Sequence, residues 1–122
     1  MRILIVDDCK DAVTALRIFL KQFGHDVHTA YDGPDAIKTA EQVHPELILL
    51  DIGLPSMSGF EVARKIREQP WGRDIVLLAV TGRSLNEDRI MAQIAGFDSY
   101  ILKPFNLADL QSRLAELPTS TT

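Results

Sequence analysis

Leu47-Ile48-Leu49-Leu50-Asp51 is the stretch on which the reading of this chain turns. Four consecutive apolar residues fit a strand buried on both faces, as in a parallel sheet covered by helices. The run then ends on a carboxylate. An ionised acid buried without a partner costs many kcal/mol, so Asp51 belongs where the strand leaves the core. In open parallel sheets that carboxyl edge is where ligands bind.

Outward from this strand the pattern recurs. Ile3-Leu4-Ile5-Val6 runs into Asp7-Asp8, Ile75 to Val80 into Thr81-Gly82, and Tyr100-Ile101-Leu102 into Lys103-Pro104. A weaker strand, Asp26 to Ala30, carries polar His28 and suits a sheet edge. Helical patterns lie between. Ala12, Leu16, Phe19, Leu20 and Phe23 share one face of the first, which Gly24 closes. Pro34 takes the first position of the second, with Ala36, Ile37 and Ala40 inward. Ser58-Gly59-Phe60-Glu61 reads as a capping box opening the third, whose apolar face is Val62, Ala63 and Ile66. A fourth, from about Asn86 to Ala95, turns Ile90, Met91 and Ile94 inward and stops at Gly96. The fifth, capped by Asn106, aligns Leu107, Leu110, Leu114 and Leu117. Residues 118–122 read as a disordered tail.

Five strands alternating with five helices predict an α/β fold. The expectation is a single three-layer, doubly wound domain over residues 1–122, with a five-stranded parallel sheet and right-handed crossovers. Strand order does not follow from alternation, but an edge position for the second strand is compatible with 2-1-3-4-5.

Composition narrows the setting. A chain of 122 residues, 46% hydrophobic and 25% charged, is ordinary for a soluble globular domain with one core. A net charge of −4 argues against a nucleic-acid surface. The lone Cys9 can form no internal disulfide and reads as a buried, inert thiol, with a redox-sensitive thiol beside the acid pair as the alternative. Asp7 and Asp8 cut the first apolar run well short of the roughly 7–15 residues of a signal segment. No run approaches the ~20 residues of a membrane span. A cytoplasmic domain without nucleic-acid or membrane contacts is expected.

The strand ends carry the chemistry. Asp7, Asp8, Asp51, Thr81 and Lys103 fall on one edge of a parallel sheet, where they can converge in one pocket. Singly, each has a bland role as a helix cap, turn residue or surface charge. Together at four strand ends they make coincidence a poor explanation. At ~4 Å and an effective dielectric near 20, each close carboxylate pair costs about 4 kcal/mol before screening. Lys103 offsets part of this, and the remainder invites a hard divalent cation. Mg²⁺ takes one or two carboxylates, keeps waters and accepts phosphate oxygens. Calcium lacks its larger oxygen cage here, and His25, His28 and His44 lie away from these ends, against a transition metal. No Gly-rich nucleotide loop follows any strand. A carboxylate nucleophile remains, and carboxylates form aspartyl-phosphate intermediates. Positioning and charge neutralisation, which catalyse phosphoryl transfer, are what the cation, lysine and hydroxyl offer.

Along nearly its whole length the chain resembles the receiver domains of two-component response regulators. The motifs carrying the resemblance are Val6-Asp7-Asp8, Leu50-Asp51-Ile52-Gly53-Leu54-Pro55, Met57-Ser58-Gly59-Phe60, Val80-Thr81-Gly82 and Tyr100-Ile101-Leu102-Lys103-Pro104-Phe105. The resemblance implies the flavodoxin-like strand order 2-1-3-4-5 and Asp51 as phosphoacceptor. Asp7, Asp8, Asp51 and the backbone carbonyl of Gly53 would hold Mg²⁺, with Asp7 acting directly or through water. Lys103 would pair with the phosphoryl oxygens and Thr81 would hydrogen-bond one of them. Tyr100 matches the switch aromatic, which turns inward as the Thr81 hydroxyl moves. Small Gly82 would leave an opening beside Asp51, and Lys103-Pro104 is expected to be cis.

The resemblance also implies partners. A histidine kinase or histidine phosphotransfer protein would supply the phosphoryl group, docking near Ala15, Ile18, Gln22, Pro104 and Phe105. The surface of helix 4, strand 5 and helix 5 would respond. Pro70-Trp71-Gly72-Arg73-Asp74 resembles receivers at the C-terminus of hybrid sensor kinases. These residues include no DNA-binding or catalytic output domain, so the expectation is a stand-alone regulator or a piece of a longer protein, and no enzyme beyond self-phosphorylation and autodephosphorylation. Two alternatives stand beside this reading. One is a Mg²⁺-dependent aspartyl-phosphate phosphatase, disfavoured by Gly53 where such enzymes usually carry a second aspartate. The other is a phosphorylation-independent scaffold, disfavoured by the intact acids, Thr81 and Lys103.

Overall fold

The computed structural model describes residues 1–54, 57–82 and 96–116. Its five strands are β1 (Arg2–Val6), β2 (Asp26–Ala30), β3 (Leu47–Asp51), β4 (Val76–Thr81) and β5 (Ser99–Leu102). Between them lie α1 (Lys10–Gln22), α2 (Gly33–Val43), α3 (Gly59–Glu68) and a 3₁₀ turn at Pro70–Gly72, and a C-terminal helix, Leu107–Glu116, follows β5. All pairings are parallel, in the order β2-β1-β3-β4-β5. The helix expected at 86–95, Pro55, Leu117 and the expected tail lie outside the described residues.

The continuous apolar runs follow from burial on two sides. Leu4, Val6, Ile48, Leu50 and Leu77 pack with Ala36, Ala40, Val62, Ala63 and Ile66 of α2 and α3. Their strand neighbours Ile3, Ile5, Leu47, Leu49, Leu78 and Val80 pack with Val13, Leu20, Leu110 and Leu114 of α1 and the C-terminal helix. Side chains alternate between faces along a strand, so both halves of each run must be apolar. Central β3 is buried along its whole length. A fully buried Leu or Ile contributes about 1.5–3 kcal/mol by leaving water, which makes this strand the anchor of the fold.

Several local expectations hold and four shift. Ser58 caps α3, its hydroxyl accepting the Glu61 N–H at 3.3 Å. Asn106 caps the C-terminal helix, its side-chain oxygen accepting the Asp109 N–H at 2.7 Å. Gly24 adopts φ +86° just past α1 and donates to the Lys21 carbonyl. In α1, however, Val13 takes the core place expected of Ala12, and Phe23 is 53% exposed. Phe23 stands at the C-cap, past the last helical turn, where its ring leans on Phe19 with centroids 5.0 Å apart. In α2, Gly33 occupies the first helical position and Pro34 the second, with Asp32 as the cap accepting the Asp35 N–H at 2.8 Å. Cys9 is exposed rather than buried, because it is the N-cap of α1, where the chain turns outward from the sheet edge.

Candidate functional site

Register brings the polar endings together. Val6 pairs with Leu50, so the next residues, Asp7 and Asp51, stand side by side past the last apolar rung. Asp51 pairs with Val80, which sets Thr81 one step farther out, and Thr81 pairs with Leu102, which sets Lys103 beyond that. One oxygen from each of Asp7, Asp8 and Asp51 lies within 4.8 Å of the others. Asp7 and Asp51 are buried and Asp8 is exposed, so the cluster has two inner carboxylates and one at its mouth.

Local backbone fixes each carboxylate. Asp7 Oδ1 accepts the Cys9 N–H at 2.9 Å, and the Asp7 N–H donates to the Ala30 carbonyl at 3.2 Å. Asp51 Oδ1 accepts the Gly53 N–H at 3.0 Å. The start of α3 presses on the same turn. A Cβ on Gly59 would lie 2.6 Å from the Asp51 carbonyl oxygen and 2.7 Å from Ile52 Cα, and the Gly59 N–H donates to the Ile52 carbonyl at 3.0 Å. Only glycine permits that approach.

Lys103 Nζ donates to Asp7 Oδ2 at 2.9 Å and reaches Asp51 Oδ2 at 3.5 Å. The second distance is at the outer limit of a hydrogen bond, so Asp7 is its chief partner. The Lys103 N–H donates to the Thr81 carbonyl at 2.7 Å, and the Lys103-Pro104 bond is cis, as expected. Burial holds the Asp51 carboxyl above the usual carboxylate range; the Asp7 charge adds to this, while the Gly53 N–H and Lys103 oppose it. Burial alone would lower the Lys103 ammonium, but its hydrogen bond to Asp7 and the two carboxylate charges carry it above its ordinary value. Three carboxylates against one ammonium leave a negative pocket of hard oxygen donors. That donor set fits Mg²⁺ rather than a softer metal.

The other predicted site residues are spread more widely. Gly53 and Gly82 are exposed, Thr81 is buried, and Tyr100 is half-buried on β5. Pro104 and Phe105 line a largely apolar cleft of about 490 Å³ that reaches Asp7 and Lys103. Ala12 and Leu16 of α1, together with Leu107, complete its walls, and sequence reasoning did not single them out for this surface. Ala15, Ile18 and Gln22 lie instead on the exposed side of α1, with Ile18 56% exposed. Gly59 was legible as part of a cap, but its contact with the Asp51 backbone was not. Its only sequence signal is absence of a side chain just after the capping serine.

Among the described residues no helix is long and apolar enough to cross a membrane. Known proteins resemble this chain in sequence and fold. The transcriptional regulatory protein PhoP of Bacillus subtilis, named for alkaline phosphatase synthesis, is 38% identical over 113 residues, covering 93% of this chain and 46% of that protein. The chain therefore spans about half the length of the curated relatives it matches. Because PhoP is named as a transcriptional regulator, the expectation of no nucleic-acid partner finds no support beyond the residues in hand. The chemotaxis protein CheY4 of Vibrio cholerae superposes with a TM-score of 0.92 at 27% identity, covering 96% of this chain and 98% of that one. The receiver domain of the sensor histidine kinase PA1611 from Pseudomonas aeruginosa, solved with magnesium in its active site cleft, is 35% identical with a TM-score of 0.84 and 93% coverage of both chains. Residues 3–115 match the response regulator receiver domain, and the chain belongs to that family of phosphoacceptor signalling domains.

Proposed function

We propose that Asp51 is the phosphoacceptor and that a histidine kinase or histidine phosphotransfer protein supplies the phosphoryl group. An Asp51 carboxylate oxygen attacks phosphorus, the P–N bond of the partner's phosphohistidine breaks, and the imidazole nitrogen keeps the electron pair. The supporting observation is the convergence of Asp7, Asp8 and Asp51 within 4.8 Å beside the Lys103 ammonium. Asp7, Asp8, Asp51 and the Gly53 carbonyl would hold Mg²⁺, which when bound supplies positive charge for the phosphoryl oxygens.

Lys103 is held by Asp7 in the resting state and turns its ammonium to the phosphoryl oxygens once Asp51 carries them. Thr81, one step beyond Asp51 in register, donates its hydroxyl to one of those oxygens. Tyr100 responds by turning inward, and phosphorylation, adding a charge of about −1.5 to −2, shifts the population of this two-state surface. Self-phosphorylation and autodephosphorylation at Asp51 are the only chemistry, within one cytoplasmic domain over residues 1–122. Docking of the donor uses the exposed side of α1 at Ala15, Ile18 and Gln22 together with Pro104 and Phe105 at the apolar cleft. The phosphatase and scaffold alternatives are disfavoured by the family.

Intact-mass measurement after incubation with a small phosphodonor and Mg²⁺ tests the assignment. One phosphoryl group per chain is expected, and none on Asp51→Asn. Undiminished labelling of that variant would place the acceptor elsewhere.

A further inference from the structure

Residues of β5 alternate between the two faces of the sheet. Ile101 is buried with Leu110 and Leu114 of the C-terminal helix, in the core layer that also holds Val13 and Leu20 of α1. Tyr100, one residue earlier, therefore projects from the opposite face. Yet the guanidinium carbon of Arg113, on the C-terminal helix, lies 5.9 Å from the centre of the Tyr100 ring. Among the described residues β5 is the last strand of the sheet. Arg113 thus reaches the ring around the outer edge of β5, tying together two layers that the sheet otherwise separates.

The ring is a favourable partner for this guanidinium. Among the described residues the ionic partner of Arg113 is Glu116, 3.8 Å away and 70% exposed, a pairing that contributes little. A cleft of about 440 Å³, walled by Tyr100, Leu102, Pro104, Asp109, Ser112 and Arg113, opens beside the ring. Among the described residues this cleft adjoins Tyr100 on that side, and the cation over its face favours its present setting. A cation within about 6 Å of an aromatic face is attracted by the ring quadrupole.

We propose that Arg113 is a positioning residue that latches Tyr100 in its half-buried resting setting and so sets how often the unphosphorylated domain visits the switched state. This rests on the reading of Tyr100 as the responding aromatic. A contact made in one state and lost in the other biases the equilibrium by its own strength. For a partly exposed cation–ring pair that is a population change of about two- to fivefold.

Fluorotyrosine-labelled protein offers a direct test, because the chain has only two tyrosines and Tyr31→Phe assigns the resonances. Saturation with Mg²⁺ and beryllofluoride, a phosphoryl mimic, marks the switched position of the Tyr100 signal. Arg113→Ala should move the resting Tyr100 signal toward that position, with a gain of about two- to fivefold in switched population. Arg113→Lys should move it less, and the Tyr31 signal should stay put as a report of the intact fold. A Tyr100 signal unmoved by Arg113→Ala, or moved in another direction, while beryllofluoride still shifts it, overturns the latch and leaves the switch. If beryllofluoride fails to shift Tyr100 in the unsubstituted protein, the switch reading falls and the latch with it.

Discussion

Two cations, Arg67 and Lys103, sit at opposite edges of the sheet in opposite states of balance. At the amino edge, Arg67 donates to the carbonyls of Gly72, Arg73, Ile75 and Gly96, at distances from 2.6 to 3.2 Å, and pairs with Asp98 Oδ2 at 2.9 Å. Asp98 Oδ2 is also satisfied by the Leu77 N–H at 2.8 Å. Among the described residues one cation faces one carboxylate, and the remaining donors meet neutral carbonyls. At the carboxyl edge Lys103 faces three carboxylates and reaches only two. A balanced cluster of this kind is a structural clamp; an unbalanced one leaves negative charge that a divalent cation can offset.

Breaking the clamp should have the largest effect on stability. Arg67→Ala leaves several carbonyls without their donor and Asp98 without its cation, a loss of about 2–4 kcal/mol. The melting temperature should fall on the order of 10 °C, while labelling of Asp51 below the new midpoint persists. A variant that melts normally would dissolve the distinction between the two edges.

Next comes Gly59→Ala, which forces a methyl group against the Asp51 carbonyl and Ile52. Overpacking against backbone costs about 1–3 kcal/mol, and here it should also lower Mg²⁺ affinity, because the displaced turn carries Asp51. Loss of stability with Mg²⁺ affinity unchanged in calorimetry would show that α3 does not position the acid.

The unbalanced edge predicts a gain where the clamp predicts a loss. Asp51 is held above its ordinary value of 3.8 first by burial and then by the Asp7 charge. A carboxyl raised in the folded state contributes its stability fully below the unfolded value and loses it as pH rises through the folded one. At neutral pH without metal the ionised Asp51 therefore burdens the fold, and Asp51→Asn should melt a few degrees higher. The difference should shrink as pH falls toward 3.8 and be gone below it. A lower melting temperature for Asp51→Asn at neutral pH would show that Lys103 already balances the pocket. The smallest effect is expected at exposed Asp8, where Asp8→Asn should change metal-free stability by no more than about 0.5 kcal/mol in denaturant unfolding.

How much of this could be read beforehand depends on range. The ends of β1, β3, β4 and β5 were legible because a doubly buried run is continuous in sequence and its polar ending is abrupt. Asp7, Asp8, Asp51 and Lys103 could therefore be brought together before any coordinates. The facing of α1 was less legible, because Ala12, Val13, Leu16, Ile18, Phe19, Leu20 and Phe23 are apolar nearly all around the helix. Where the helix ends decided that Phe23 stays outside. The Arg67 clamp was not legible, since most of its described acceptors are backbone carbonyls and its carboxylate partner, Asp98, is 31 residues away. Nor was the reach of Arg113 to Tyr100, which depends on β5 lying at the sheet edge.

Calorimetric titration with Mg²⁺ at neutral pH tests the unbalanced pocket most directly. The account predicts one site in the unsubstituted protein, weakened at least about tenfold in both Asp8→Asn and Asp51→Asn and intact in Arg67→Ala below its melting point. Equal Mg²⁺ affinity in all four proteins would contradict it.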